Sequence, residues 1–150
     1  MTKIERATIA DDEQPSKKRV LVLIDQIGAV DYHRIAMPLR YIYEKNIFHI
    51  DFAIQEKEVN EAKVEDYDIV IFSRYLLNMS IVDRCIAAKV KLIVDIDDYW
   101  NVPKYNPAYK QYKEKGKEAV LKSLKAASMV WTTTPQLAEK VKEINPNVHI

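Results

Sequence analysis

Glycine is nearly missing from this chain: among 150 residues only Gly28 and Gly116 occur. Phosphate-cradling loops of the Walker A or GxGxxG type place two or three glycines within a few residues, because the backbone must turn tightly and approach the anion closely. Two glycines so far apart exclude both. One cysteine, Cys85, permits no intramolecular disulfide, and it lies in a helix-like segment where a small buried thiol is the plain expectation. The histidines, His33, His49 and His149, form no HxxxH pair and have no cysteine pair to join, so a structural zinc site has no ligand set. No metal and no cofactor is expected. No apolar run reaches the roughly 18 residues of a membrane-spanning helix, and the polar N-terminus lacks the apolar segment of a secretory signal. A reduced, cytoplasmic location follows as the expectation. Neither sign of charge is in excess: 23 Lys and Arg stand against 22 Asp and Glu, a formal charge of +1. No global basic field draws the chain to nucleic acid, which is not expected as a partner.

What is present is ordinary globular material, 48% hydrophobic and 30% charged, in a length that suits one domain. Residues 1–16 mix charges without periodicity and end in Gln14-Pro15-Ser16, as a flexible leader would; the fold is expected over 17–150. Arg19 to Asp25 is a continuous β-branched and leucine run with charge only at its ends, the pattern of a central parallel strand covered on both faces. His49 to Ile54 alternates, which suits a strand nearer an edge. Further strands are expected at Asp68–Ser73, Val90–Asp95, Ser128–Thr134 and from Val148. Between them, helical spacing runs from His33 to Asn46, Met79 to Ala88, Ala108 to Ala127 and Pro135 to Glu143, with a short polar stretch from Val59 to Tyr67. Pro38 obstructs the first of these unless the helix starts near Ala36 or kinks. Strands alternating with helices imply right-handed crossovers and a Rossmann-like, doubly wound parallel sheet in three αβα layers.

In such sheets the ligand lies beyond the carboxyl ends of the strands, where strand order reverses. Here those ends are Gln26 to Arg34, Arg74 to Leu76, Ile96 to Trp100 and Thr132 to Thr134, and three stretches at or beside them carry chemistry. In the first loop, Gly28 offers a positive φ and a close backbone approach, while His33 and Arg34 are suited to phosphate, carboxylate or sugar hydroxyls; a turn glycine beside a surface salt bridge is the plainer alternative. Asp95-Ile-Asp97-Asp98 is the densest acidic cluster. A DxD holds a divalent metal or serves a phosphatase, yet that phosphatase pattern belongs after a first strand, whereas this one follows the fourth; hydrogen bonding or acceptor contact fits Asp97 and Asp98 better. Tyr99 and Trp100 follow, and aromatic faces beside carboxylates suit a sugar ring, with packing into the core as the alternative. A receiver domain would need an acidic pair after strand one and an Asp after strand three, where this chain has Asp25-Gln26 and Ser73. Between Tyr109 and Lys125 six Lys stand against two Glu, which reads either as a solvated face or as a peripheral membrane contact at the inner face.

Gly28-Ala-Val-Asp-Tyr-His-Arg-Ile-Ala-Met-Pro38, Tyr67 to Ser73, Val94-Asp-Ile-Asp-Asp-Tyr-Trp100 with Pro103, and Ala127 to Thr134 with Pro135-Gln-Leu-Ala138 occur in an order that resembles the N-terminal domain of bacterial GT-B glycosyltransferases of the family 4, or glycosyl transferases group 1, kind. The similarity spans about Lys18 to Ile150. It implies an acceptor-side domain of an enzyme that moves a sugar from a nucleotide-sugar donor to a glycan or lipid-linked acceptor, in polysaccharide biosynthesis. Gly28 and Ala29 would match the donor-phosphate loop. Tyr32, His33, Arg34, Asp97, Asp98, Tyr99 and Trp100 would be acceptor-side contacts; no catalytic residue is assigned. An acidic cluster stands where many relatives carry a histidine, and the family's Glu-rich donor motif, which belongs to a second domain, is not in these residues, so the 150 residues alone are expected to be inactive. The alternative is a non-catalytic Rossmann-like binding or interaction module.

Overall fold

The computed structural model describes residues 17–24, 28–74, 76, 78–107, 109–112 and 115–150, and the leader expected over 1–16 lies outside them. Six strands, β1 (Arg19–Ile24), β2 (His49–Ile54), β3 (Ile69–Ser73), β4 (Lys91–Asp95), β5 (Met129–Trp131) and β6 (Val148–His149), form one parallel sheet in the order β2-β1-β3-β4-β5-β6. The Rossmann-like α/β fold expected from the alternation of runs is the one observed. The alternating strand at His49 lies at the sheet edge, and the all-apolar run at Arg19 lies between two neighbours. Covered on both faces, β1 has no polar side to show: Leu21 and Leu23 face one cluster, Val20, Val22 and Ile24 the other.

The helices divide accordingly. One helical run follows β1, made of α1 (Ala29–Asp31), a π-helical turn (Tyr32–Ala36) and α2 (Met37–Glu44), and it places Ile35 and Leu39 on the face of Val20 and Val22. On the opposite face, α3 (Glu56–Glu61), α4 (Ser80–Ala87), α6 (Lys115–Ala126) and α7 (Pro135–Lys142) contribute Val59, Val82, Leu124 and Val141 to the larger cluster. Each such fully buried aliphatic contributes about 1.5–3 kcal/mol. The Lys-rich segment appears as α5 (Tyr109–Tyr112) and α6, with the two residues between them outside those described. Cys85 is buried in α4, where burial pushes its thiol up to about 11 and leaves it an inert core residue.

The start of the first helical run departs from expectation. It begins at Ala29 after the N-cap Gly28, not near Ala36, and Pro38 is accommodated by widening: the Met37 amide reaches back five residues to the Tyr32 carbonyl. A proline ring clashes with the carbonyl four residues earlier, and a π-turn just before it relieves that clash. At the other end of the chain, buried Asn145 donates from Nδ2 to the Leu124 carbonyl at 2.9 Å and the Ala127 carbonyl at 2.7 Å, and accepts from the Asn147 amide at 2.9 Å. It closes the end of α6 and aims the chain into β6.

Candidate functional site

The chain leaves β1 toward β2 on one side and returns to β3 on the other, so strand order reverses between β1 and β3. Residues 25–27 of the loop after β1 are outside those described. Gly28 has φ −127° and ψ 164°, an extended conformation, so the positive φ expected of it is not used. A Cβ there would come within 3.2 Å of an Asp31 carboxylate oxygen, a tight but flexible neighbour.

The π-turn carries Tyr32, His33 and Arg34. Tyr32 and His33 are exposed and meet edge to face with ring centroids 5.2 Å apart. Arg34 is turned to the sheet. Its guanidinium grips Asp95, the last residue of β4, with Nε 2.9 Å from Oδ2 and Nη2 on Oδ1. Since β3 lies between β1 and β4, this side chain crosses the carboxyl end of β3. The Asp95 side chain is only 2% exposed, so its charge depends on this fork. Burial raises the Asp95 carboxyl above the ordinary carboxylate range while Arg34 pulls it back; the hydrogen bonds that Arg34 donates to Asp95 raise its guanidinium against the opposing effect of its own burial. Ser73, paired in register with Asp95, holds a buried hydroxyl with no hydrogen-bond partner among the described residues.

A second fork lies beside the first. Arg74, directly after β3, has φ 57° and donates its amide to the Asp95 carbonyl at 2.6 Å. Its guanidinium holds Asp97, with Nε to Oδ1 at 2.8 Å and Nη2 to Oδ2 at 3.2 Å, and approaches Asp98 at 3.8 Å. A left-handed backbone in an arginine is costly, and it is maintained here by two anchored ends. Asp95 and Asp97 are thus both engaged bidentately by an arginine. Among the described residues no group of three or more metal-ligating side chains converges.

Asp98 is the carboxylate left outward, 72% exposed. Together with Asp97 and Tyr99 it forms one wall of a cavity of about 420 Å³, whose other wall is Thr133, Thr134, Gln136, Leu137 and Lys140 at the start of α7. That volume lies within the usual range for small-molecule sites. The Thr133 hydroxyl reaches toward the Asp97 carbonyl at 3.5 Å, and Thr134 caps α7 by accepting from the Leu137 amide at 3.2 Å, with Pro135 at the first helical position. Tyr99 is half exposed at the mouth. Trp100 is buried in the larger core cluster with its ring 5.0 Å from that of Tyr99, so it supports the loop from beneath rather than offering a face to a ligand.

Of the residues marked from the sequence, Asp97, Asp98 and Tyr99 share this pocket, Arg34 ties the π-turn to the strand end two residues before it, and Tyr32 and His33 lie on the exposed side of that turn. The strand-end rule marked Arg74 and Thr132 to Thr134 by position, and the structure puts Thr133 and Thr134 in the pocket wall and Arg74 beside it; what the sequence did not foresee is that Arg74 holds Asp97 and that the start of α7 supplies Gln136, Leu137 and Lys140. On the Lys-rich face, Lys122 pairs with Asp83 at 2.7 Å, Lys117 reaches Asn101 at 3.4 Å, and Lys125 is exposed, as on a solvated surface. Among the described residues no helix is long and apolar enough to cross a membrane. The fold and site define an α/β domain of the Rossmann-like class with a largely apolar pocket, edged by carboxylates and hydroxyls, on its carboxyl edge. Compared with protein-family models and with curated proteins, the chain matches none.

Proposed function

We propose that this chain is the acceptor-side domain of a sugar-nucleotide-dependent glycosyltransferase of the GT-B kind, with the nucleotide held chiefly by a second domain. The observation that carries this reading is the pocket at the carboxyl edge, where two segments that resemble the family, Asp95 to Trp100 and Thr132 to Ala138, meet in one cavity. Asp98, 72% exposed beside Arg74, has room to accept a hydrogen bond from an acceptor hydroxyl, and the Tyr99 ring offers an apolar face to sugar C–H groups. The helical run that opens at Gly28 and Ala29 presents its positive end at the strand-order reversal, as a departing diphosphate requires. In the reaction the acceptor oxygen bonds to the anomeric carbon, the bond from that carbon to the donor phosphate breaks, and the hydroxyl proton leaves with the phosphate oxygen.

The test is donor consumption. A protein that joins this domain to its donor domain should release nucleoside diphosphate from one nucleotide sugar in the presence of acceptor; Asp98→Ala should lower that rate by about ten- to a hundredfold, the worth of a hydrogen bond to a charged group, and Tyr99→Ala should lower it through loss of the apolar platform. The 150-residue chain alone should release none. Turnover by the single domain would contradict the proposal, and a joined protein that consumes no nucleotide sugar would favour a non-catalytic binding module.

A further inference from the structure

The charges around the pocket choose among acceptor chemistries. Two cations border it, and three carboxylates answer them: Arg74 grips Asp97 and lies 3.8 Å from Asp98, and Lys140 pairs with Glu143 at 2.9 Å. The balance is negative, and Asp98, 72% exposed, is the carboxylate that carries it outward. A helix start is often a phosphate site because several amides point outward. At α7 that supply is mostly used: Pro135 has no N–H, and Thr134 takes the Leu137 amide on its hydroxyl and the Ala138 amide on its carbonyl. An incoming phosphate would meet a like charge with little to offset it. A neutral ring with several hydroxyls meets the opposite situation. Asp98 accepts from its hydroxyls, the Thr133 hydroxyl, turned as donor to the Asp97 carbonyl, accepts, the Gln136 side-chain amide both donates and accepts, and Tyr99 with Leu137 provides apolar surface for its C–H face.

We infer that this pocket binds an uncharged sugar ring and discriminates against phosphorylated or carboxylated ones. That the ring is the acceptor terminus rests on the glycosyltransferase reading; the binding and its charge selectivity do not. Asp98 is the selecting residue, because it is the outward charge, and Tyr99 the platform.

The 150-residue chain, labelled with ¹⁵N, should be titrated with methyl glycosides of common hexoses, with the corresponding hexose 6-phosphates and with inorganic phosphate. At least one methyl glycoside should shift the backbone resonances of Tyr99, Thr134 and Gln136, and its 6-phosphate should bind at least tenfold more weakly. Tyr99→Ala should weaken the glycoside at least tenfold, while Asp98→Asn should reduce the preference for the neutral sugar by a similar factor; the unperturbed remainder of each spectrum reports that the variant is folded. A 6-phosphate that binds as tightly as the glycoside, or a preference unchanged by Asp98→Asn, would overturn the selectivity and leave the glycosyltransferase reading standing. Binding of no sugar at all, or shifts centred elsewhere, would overturn the site itself, and donor consumption by the joined protein would still judge the enzyme separately.

Discussion

A guanidinium on a carboxylate 2% exposed is an arrangement in which neither partner is optional. Arg34 costs conformational freedom to order, and Asp95 costs solvation to bury; the bidentate fork between them offsets both only while it is intact. Arg34→Met should therefore lower stability in urea unfolding by about 3 kcal/mol, because it leaves a buried charge unpaired. The loss should shrink in acid. Without its arginine, Asp95 feels burial and the like charges of Asp97 and Asp31, all of which raise its carboxyl pKa; a group raised in the folded state favours folding below its unfolded value and loses the benefit as pH rises through the folded one. The gap between Arg34→Met and wild type should be smaller at pH 4 than at pH 7. Arg34→Met with Asp95→Leu should recover most of the loss, since an apolar pair needs no charge balance; a double variant as unstable as the single one would show that the arginine acts through something other than Asp95. Here the sequence is legible only halfway. It marked Arg34 and the acidic cluster as chemically active, but the two lie 61 residues apart, and which carboxylate the arginine takes depends on β3 passing between them.

At the scale of elements, the strands were legible because apolar β-branched runs have few alternatives in a covered sheet, and α7 because Thr134-Pro135 is a helix start by chemistry alone. The π-turn was not. Pro38 announced an irregularity without saying whether the helix would start late or widen, and widening won because Ile35 and Leu39 are both needed against β1. The end of α4 was equally silent. Its last turn closes with the Lys89 amide on the Ile86 carbonyl and the Val90 amide on the Cys85 carbonyl, while Lys89 sits at φ 58° where glycine is usual. Lys89 is exposed, so its side chain contributes no core packing there. Lys89→Gly should therefore stabilise the fold by about 1 kcal/mol through relief of the left-handed backbone, measured as a rise in the urea midpoint at constant slope. A fall in the midpoint would mean that the lysine side chain outweighs the strain.

Across the whole molecule, the pocket depends on an edge that the sheet holds weakly. β6 pairs with β5 over two residues only, Val130 with Val148 and Trp131 with His149, yet β5 ends at the threonines that form the α7 wall of the cavity. Asn145 compensates from a distance. Its amide satisfies two carbonyls at the end of α6 while its oxygen sets the Asn147 amide, so the approach to β6 is fixed before the strand begins. Asn145→Ala should cost about 1–3 kcal/mol, because both carbonyls lose their donor in a buried place. The more telling effect should be local. The Val130 amide donates to the Asn147 carbonyl and the Thr132 amide to the His149 carbonyl, each at 2.8 Å, and these are the bonds that would open if β6 came loose. In hydrogen exchange, those two amides should lose protection in Asn145→Ala by more than the amides of β1 and β3, which the rest of the sheet still holds. A uniform loss across all strands would instead make Asn145 an ordinary contributor to global stability, with no particular hold on the strand next to the site.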